Sequence, residues 1–276
     1  MCPSMTSKPY IIRISSQKGG VGKTTIAVNL AIALSFYNSY KILLVDADLS
    51  NPSVGFHLGL SDANIGTTDV AKKTALMKSA IIIHAPSGIH VLPGNIIHSN
   101  NYIPTREQFN AFFSNLRKLD YDFIIIDTAP GLINSVNDVF KYYDEILVVT
   151  TPEMAAYTSA IRMAHLCNKF KTRHNLVVNR IRNKKFEIHL HEIEEAYGKV
   201  VVGALPEDDI VPTGIADHIP AYVLSRRDPF SLEIKEMAKI YAAIKGNIDY
   251  NEENGRADRK GGRVIHFILR LFGLSY

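Results

Sequence analysis

Cysteine is scarce in this chain, since only Cys2 and Cys167 occur among its 276 residues. Two thiols cannot build a disulfide framework, nor can they supply the four ligands of a zinc or iron–sulfur site within one chain. Long apolar runs are also missing: no stretch approaches the roughly 18 residues that a membrane-spanning helix needs. Because the N-terminal segment has no basic stretch followed by an apolar run, we expect no secretory signal. The sequence therefore predicts a soluble cytoplasmic protein.

The chain has a small excess of positive charge, and this excess is confined to residues 256–276. The chain has 31 Lys and Arg residues against 27 Asp and Glu residues, for a formal net charge of +4. Residues 256–276 hold five basic side chains and one acidic one, so residues 1–255 carry 26 of each sign. A uniformly basic surface that coats nucleic acid is therefore not indicated, and a local basic patch stays open.

What the sequence does contain is an alternation of short apolar runs and helical patterns. Strands are predicted at Tyr10–Ile14, Lys41–Asp46, Ile89–Leu92, Phe123–Asp127, Glu145–Thr150, Asn175–Asn179 and Lys199–Gly203, with a possible edge strand at Ala80–His84. Helices are predicted near 23–37, 105–118, 153–170, 186–196 and 229–245. Strands that are apolar along their whole length and separated by helices indicate a mostly parallel sheet of seven or eight strands with helices on both faces. We expect one α/β domain over residues 1–246, a flexible polar linker over 247–262 and a separate segment over 263–276.

The first predicted strand leads into the segment SSQKGGVGKTT, and a predicted helix follows it. Glycines in such a loop let backbone N–H groups surround phosphate oxygens, and the helix N-terminus adds a positive dipole. Lys23 is spaced to reach β- and γ-phosphates, and the Thr24 hydroxyl is spaced to ligate Mg²⁺. The strict phosphate-loop pattern fails at Gln17, which stands at its first glycine position, and Lys18 is an additional lysine.

The K-G-G-x-G-K-T-T arrangement that begins at Lys18 resembles the deviant Walker A motif of the MinD/ParA ATPase family. Two further segments agree with the resemblance: VDADLSNPS contains Asp46 and Asp48, and FIIIDTAPG closes an apolar strand on Asp127. The resemblance implies that Asp48 orients the attacking water and that Asp46 belongs to the Mg²⁺ shell. Asp127, at the end of a Walker B-like strand, is placed to hold Mg²⁺ through water. A turn or N-cap role is the alternative for an aspartate at a strand end.

Three segments downstream extend the resemblance to about residues 8–245. It implies that Glu153 of TPE approaches the nucleotide across a dimer and that the Asn179 amide of VVNR reads adenine. Pro206 and Glu207 of LPEDD would close over the base. The nucleotide contacts predicted in this way are Gly19, Gly20, Val21, Gly22, Lys23, Thr24, Thr25, Asn179, Pro206, Glu207 and Glu153.

The resemblance gives Lys18 a role in a homodimer, because the first lysine of the family motif reaches the phosphates of the opposite subunit. A second cation on developing phosphoryl charge acts like an arginine finger supplied in trans. A solvated loop lysine is the alternative. The predicted catalytic residues are Lys18, Lys23 and Asp48, and the predicted metal-binding residues are Thr24, Asp46 and Asp127. The implied activity is slow, Mg²⁺-dependent ATP hydrolysis, stimulated by an activating or cargo protein that the sequence does not identify.

The last segment has the pattern of a short basic amphipathic helix. On a helical wheel its basic side occupies an arc of roughly 80°, and apolar residues fill the remainder. That basic side consists of Arg259, Arg263, His266, Arg270 and Gly273. About 12 residues make a helix of roughly 18 Å, which is too short to span a bilayer and suited to lying in its interface. FILRLFG resembles the membrane-targeting tail of the MinD branch, which implies attachment of residues 263–276 to an anionic membrane surface.

The resemblance therefore favours a peripheral membrane ATPase that dimerises with ATP and positions other cellular machinery. Docking of the tail on the core, on another protein or on DNA stays open. Gln17 and Lys18 together also resemble the ParA branch of DNA-segregation ATPases, whose ATP dimers bind DNA non-specifically. A metabolic amidoligase or synthetase built on the same loop is a third interpretation, and it predicts substrate-dependent turnover with no need for the tail.

Overall fold

The computed structural model of the chain describes residues 8–37, 39–60, 63–95, 102–131, 137–198 and 201–253. The predicted amphipathic helix at 263–276 and the greater part of the predicted linker lie outside the described residues. Within the described part, no helix combines the length and the apolar character that crossing a membrane requires.

An eight-stranded sheet forms the centre of the fold. Its strands are β1 (Tyr10–Ser15), β2 (Ile42–Ala47), β3 (Ile82–Ile83), β4 (His90–Leu92), β5 (Phe123–Thr128), β6 (Glu145–Thr150), β7 (Arg173–Ile181) and β8 (Gly203–Pro206). Their order across the sheet is β3-β4-β2-β5-β1-β6-β7-β8. All neighbours are parallel except β3, which pairs antiparallel with β4 at one edge. The predicted mostly parallel sheet, including its extra edge strand, is confirmed.

Helices cover both faces of this sheet. They are α1 (Lys23–Phe36), α2 (Val54–Leu58), α3 (Thr67–Lys72), α4 (Met77–Ala80), α5 (Arg106–Leu116), α6 (Met154–Lys169), α7 (Leu190–Tyr197), α8 (Ile210–Ala216), α9 (Ala221–Leu224) and α10 (Pro229–Glu253), with a 3₁₀ turn at Asn137–Tyr142. The five predicted helices correspond to α1, α5, α6, α7 and α10. The short helices α2, α3, α4, α8 and α9 were missed, because one or two turns are too short to establish a helical period.

Two predicted boundaries were wrong. Helix α10 continues to Glu253, so the residues that begin the predicted linker at 247 are helical. Their polar composition resembles a linker, but polar residues also suit a helix that extends into solvent. The last strand was predicted at 199–203 and instead spans Gly203–Pro206. Val201 and Val202 are buried immediately before the strand, and the Val202 N–H already donates to the Leu176 carbonyl oxygen of β7 at 2.9 Å, so the apolar run leads into the strand without belonging to it.

The two faces of the sheet support two separate apolar cores. Successive side chains of a strand point to opposite faces, so β1 contributes to both cores. Ile12 packs in the core that contains α1 and α10, whereas Ile11 packs in the core that contains α5 and α6. Because parallel strands share one direction, the carboxyl ends of β1, β2, β5 and β7 meet at one edge of the sheet. The strand order changes direction at β1, with β5, β2 and β4 on one side and β6 to β8 on the other. Ligands of open α/β sheets usually bind at the carboxyl ends of the strands beside such a point.

A buried carboxylate ties α10 to the opposite end of the sheet. Glu145, at the first position of β6, is fully buried. Its Oε2 accepts a hydrogen bond from the Tyr10 hydroxyl at 2.9 Å. Its Oε1 accepts hydrogen bonds from the Asn175 amide at 2.8 Å and from the Tyr241 hydroxyl at 2.6 Å. Three donors replace the water that this carboxylate loses on folding, so each of them contributes to stability.

We expect Tyr241→Phe to lower the free energy of unfolding by about 1–3 kcal/mol, because it removes one donor from a buried carboxylate and leaves the ring in place. Urea unfolding followed by circular dichroism measures the change. Tyr37→Phe is the matched control, since no hydrogen bond of the Tyr37 hydroxyl is found in the described part of the chain. Equal stability of the two variants would contradict a stabilising role for the Glu145 network.

Candidate functional site

The loop between β1 and α1 has the backbone of a phosphate cradle. Gly20 and Gly22 have φ values of 76° and 96°, a region that favours glycine. Gly22 is the residue immediately before α1, and a Cβ atom at this position would collide with the side-chain amide of Asn179. No acidic side chain occupies the first turn of α1, so the positive end of its dipole is not neutralised within the helix. The loop is therefore built to receive an anion.

Two neighbouring segments support the loop from opposite sides. Asn179 of β7 is buried, and its Nδ2 donates a hydrogen bond to the Val21 carbonyl oxygen at 2.8 Å. From the loop after β5, the Gly131 N–H donates to the Ser16 carbonyl oxygen at 2.9 Å. In this conformation the Asn179 amide holds the phosphate loop. Its predicted contact with adenine stays a prediction.

A hydroxyl and a carboxylate meet directly beneath the loop. The Thr24 hydroxyl, in the first turn of α1, donates to Oδ2 of Asp127 at 2.6 Å. Its oxygen also lies 2.9 Å from the Ser53 hydroxyl oxygen, which follows β2. The predicted metal-binding residues Thr24 and Asp127 are thus brought together, and Ser53 joins them.

Burial makes the Asp127 carboxyl a weaker acid than an exposed aspartate. Desolvation raises the pKa of Asp127 to about 6, against the lowering effects of the Thr24 hydrogen bond and the Lys23 ammonium. Lys23 is buried too: desolvation lowers its pKa, while the charges of Asp127 and Asp48 raise it. Lys23 therefore lies close enough to both carboxylates for their charges to stabilise its ammonium.

Asp46 stands beside Asp127 in the sheet, as its register partner between β2 and β5. It is fully buried, and its pKa is raised well above the ordinary value by desolvation and by the charge of Asp127. Its Oδ2 accepts hydrogen bonds from the backbone N–H groups of Ser53 at 2.9 Å and Val54 at 3.0 Å, and its Oδ1 accepts one from the Asp48 N–H at 3.2 Å. Asp46 therefore anchors the loop after β2, and its predicted place in a metal shell stays a prediction.

Asp48 is buried at the end of the same strand and organises the turn that follows. Its Oδ1 accepts hydrogen bonds from the Ser50 hydroxyl at 2.9 Å and from the Asn51 N–H at 2.9 Å. This is the turn role expected as the alternative for a strand-end aspartate. The charge of Asp48 also acts on Asp127 and Lys23, so the predicted water-orienting residue lies within the same electrostatic cluster.

The predicted dimer lysine belongs to an ionic cluster at the rim of the loop. Lys18 Nζ lies 3.3 Å from Oε2 of Glu153, and both side chains are about half exposed. Arg182 pairs with Oε1 of Glu153 at 3.3 Å, with Glu187 at 2.9 Å and with Glu207 at 3.4 Å. Three residues predicted from three separate segments, Lys18, Glu153 and Glu207, are therefore neighbours around a single arginine.

The cavity beside this cluster is small. It measures about 120 Å³ and is lined by residues of the phosphate loop together with Thr151, Arg180 and Arg182. Small-molecule sites usually span about 300–1,000 Å³. Glu207 lines this cavity, whereas Pro206, which ends β8, is not among its described lining residues. The predicted contacts of both residues with the base stay predictions.

Sequence reasoning missed Ser53 and Arg182. Ser53 follows the strand-end aspartates in VDADLSNPS, where a hydroxyl next to two carboxylates was a usable signal. Arg182 lies three residues after Asn179, and nothing local distinguishes it from a surface arginine. Only the folded chain brings it to Glu153 and Glu207.

The residues beneath the loop fit a magnesium ion. Oδ1 of Asp127 is buried and has no hydrogen-bond partner among the described residues, and a hydroxyl occupies the other oxygen. Mg²⁺ is usually held by one or two carboxylates together with substrate phosphates. No group of three or more His, Cys, Asp or Glu side chains suited to a metal is found within the described ranges. The metal-binding role of Thr24, Asp46 and Asp127 stays a prediction.

Comparisons with known proteins agree with this geometry. A family model described as an AAA domain matches residues 9–181. An uncharacterised ATP-binding protein of Methanocaldococcus jannaschii is 30% identical over 264 residues, which cover 95% of this chain and 97% of that protein. The septum site-determining protein MinD of Thermotoga maritima is 29% identical over 211 residues, which cover 73% of this chain and 77% of that protein. The structure of the septum site-determining protein MinD complexed with Mg-ADP from Pyrococcus horikoshii OT3 matches with a TM-score of 0.78 at 27% identity, covering 86% of this chain and 98% of that chain.

Burial of Asp127 predicts a pH-dependent effect on the stability of the nucleotide-free protein. Its pKa in the folded state, about 6, exceeds the ordinary value of 3.8, so folding becomes less favourable as pH rises from about 4 to 6. We expect Asp127→Asn to raise the free energy of unfolding at pH 8 by roughly 2–3 kcal/mol, and the gain should fall to about half at pH 5.

Thermal and urea unfolding in EDTA at both pH values measures the effect of this substitution. Asp217→Asn, at an exposed position, is the matched control and should show no such dependence. A gain for Asp127→Asn that is the same at pH 5 and pH 8 would contradict the raised pKa.

Proposed function

The chain belongs to the MinD/ParA family of P-loop ATPases, and from this premise we propose that it binds Mg-ATP at the loop before α1 and hydrolyses it slowly. We further propose that ATP drives dimerisation and reversible attachment to a membrane surface, through which the protein positions other cellular machinery. The observation that carries the proposal is the pair of lysines on one loop. Lys23 is buried among carboxylates, whereas Lys18 stands at the exposed rim.

The residues beneath the loop support the hydrolytic part of the proposal. Lys23 and the N–H groups of the loop would bind the phosphates, and Thr24 and Asp127 would hold Mg²⁺. When bound, Mg²⁺ neutralises charge on the phosphate oxygens. Asp48 would orient the attacking water, and the hydrogen bonds from the turn at Ser50 and Asn51 engage only its Oδ1. The Pyrococcus horikoshii relative, complexed with Mg-ADP, supports the same cofactor chemistry for this chain.

The position of Lys18 supports a role between subunits. Its ammonium points to Glu153 rather than into the carboxylate cluster, and no large burial holds it there. An exposed ion pair of this kind contributes about 0–1 kcal/mol, so Lys18 leaves Glu153 at little cost. A γ-phosphate presented by a second subunit is a stronger partner, since charge-assisted contacts to phosphate oxygens are among the strong hydrogen bonds. Dimerisation would thus depend on ATP.

The energetics of the tail support a membrane switch. Burial of its eight apolar side chains contributes at most roughly 12–24 kcal/mol, at about 1.5–3 kcal/mol each. These residues are Val264, Ile265, Phe267, Ile268, Leu269, Leu271, Phe272 and Leu274. Ordering about 12 residues opposes binding by a similar ~12–24 kcal/mol. One tail is therefore marginal, whereas two tails on an ATP dimer gain from effective concentration.

A DNA-segregation role of the ParA type is the second candidate, favoured by the adjacent Gln17 and Lys18 and by the arginines of the tail. Both candidates need the ATP dimer, and they differ in the surface to which the dimer binds. Apolar side chains outnumber arginines in the tail, which favours lipid over phosphate backbone contacts.

Lys18→Ala is expected to bind Mg-ATP and yet remain monomeric, because the cation that reaches the second active site is missing. Multi-angle light scattering with a non-hydrolysable ATP analogue measures the mass of the unmodified protein and of the variant. Lys41→Ala is the matched control, since Lys41 also forms an exposed ion pair, with Asp120 at 2.6 Å, but lies away from the loop. A Lys18→Ala variant that dimerises as well as the unmodified protein would show that Lys18 does not act in trans.

Anionic vesicles should sediment the full chain at least ~10-fold more effectively with ATP than with ADP, because paired tails bind together. A chain truncated after Gly255 should remain in the supernatant with either nucleotide and still bind ATP. Vesicles of zwitterionic lipid serve as the control for charge. Sedimentation that does not depend on the nucleotide would contradict the coupling of dimerisation to membrane binding. An ATP-dependent gel shift with DNA, in the absence of vesicle binding, would instead favour the segregation role.

A further inference from the structure

Arg13 is a buried cation outside the phosphate loop, and no carboxylate of the described residues pairs with it. It occupies the strand β1 and points to the same face of the sheet as Ile11, toward the core of α5 and α6. Its side chain is almost completely buried, at 2% exposure. An arginine remains charged in proteins, and a buried charge is costly unless it is paired.

The surroundings of Arg13 supply no anion. Its guanidinium carbon lies 5.3 Å from the centroid of the Tyr143 ring, and its Nε has no hydrogen-bond partner among the described residues. Burial lowers the pKa of Arg13, and the groups that act against this are Tyr143, in part through a side-chain hydrogen bond, and Cys167; no carboxylate of the described residues is among them. A cation–π contact of this kind offsets only part of the cost of burying a charge.

Arg13 borders a large cavity on the α5 side of the sheet. The cavity measures about 620 Å³, within the usual range for small-molecule sites. Its walls are mostly apolar and include the three aromatic rings of Phe109, Phe112 and Phe113. Arg13 is the only charged side chain in the described lining.

Most of the remaining polar side chains of the lining are already engaged. The Ser50 hydroxyl donates to Asp48 at 2.9 Å, and the Thr128 hydroxyl donates to the Ile14 carbonyl oxygen at 2.8 Å. The Thr67 hydroxyl donates to the Pro93 carbonyl oxygen at 3.1 Å. The Tyr102 hydroxyl donates to Oε1 of Gln108 at 2.6 Å. Among the polar side chains of the described lining, the Arg13 guanidinium and the neighbouring Tyr143 hydroxyl are therefore left for a ligand.

We propose that this cavity is a second ligand site that binds an aliphatic carboxylate, with the carboxylate on Arg13 and the hydrocarbon chain against the aromatic wall. A planar guanidinium matches a carboxylate through two parallel hydrogen bonds. A single positive charge balances a monoanion, whereas a phosphate dianion would keep uncompensated charge in an apolar chamber. Apolar walls with one fixed charge are also the usual composition of a site for such amphiphiles.

The test uses decanoate and decan-1-ol, which share a chain length and differ in charge, in calorimetric titrations of the full chain. We expect the unmodified protein to bind decanoate at least about tenfold more tightly than decanol. Arg13→Met should weaken decanoate binding at least about tenfold and leave decanol binding nearly unchanged. The same variant should melt at an equal or higher temperature, because it replaces an unpaired buried charge with an apolar side chain.

Arg162→Met is the matched control, since Arg162 is exposed on α6 and should leave decanoate affinity unchanged. All variants carry the basic tail, so differences between them report on the cavity and not on the tail. If Arg13→Met fails to fold, Ala71→Leu, which narrows the cavity from another wall, should weaken both ligands. Equal affinity of the unmodified protein for decanoate and decanol, or undiminished decanoate binding by a folded Arg13→Met variant, would overturn the proposal.

Discussion

Two carboxylates placed side by side at the ends of β2 and β5 constrain everything around the phosphate loop. Asp46 and Asp127 are register partners, both are buried, and each raises the energy of ionising the other. Compensation comes from different sources. Backbone N–H groups of the loop after β2 satisfy Asp46, and the Thr24 hydroxyl and the Lys23 ammonium act on Asp127. One oxygen of Asp127 still has no partner among the described residues, and this residual need is what a bound cation would meet.

Local motifs predicted which residues lie together at the phosphate loop, but they did not predict which other residues contact them. Lys23, Thr24 and Asp127 were identified because their roles follow from position on a strand–loop–helix unit, and the fold brings them together. Asp46 shows the limit of such reasoning, because its carboxylate is engaged by backbone N–H groups that no motif names. Arg182 was missed for a different reason: its three acidic partners come from separate parts of the chain.

The fold followed from the sequence to a similar degree. Strands buried on both faces carry an unmistakable apolar signal, and all the central ones were predicted within a few residues. The errors arose where the polarity of the residues did not correspond to their secondary structure. Residues 247–253 are polar and helical, whereas Val201 and Val202 are apolar and precede the strand they were assigned to. Polarity reports exposure, and exposure alone does not distinguish a linker from a helix that extends into solvent.

Two of the buried charged residues, Glu145 and Arg13, have opposite kinds of surroundings. Glu145 receives three donors from three elements, which makes it a structural tie between the sheet and α10. Arg13 contacts the Tyr143 ring and lines the 620 Å³ cavity. A buried charge whose hydrogen bonds are all formed stabilises the fold, whereas a buried charge with unformed hydrogen bonds can still bind a ligand. The two residues lie close together along neighbouring strands, since Ile12 pairs with Glu145 and Arg13 with Ile146, and they face opposite sides of the sheet.

The edges of the sheet have a consequence for how copies of this chain can associate. At one edge, β3 is only two residues long and runs antiparallel to the rest; at the other, β8 ends in Pro206, which has no N–H to donate. Among the described residues, neither edge strand offers a long row of unpaired backbone groups, which disfavours extension of the sheet by a neighbouring chain. Self-association by strand addition, the usual route to fibrils, is thereby disfavoured. In the proposed dimer, contacts between copies would therefore form through side chains and loops, which a ligand can make and break.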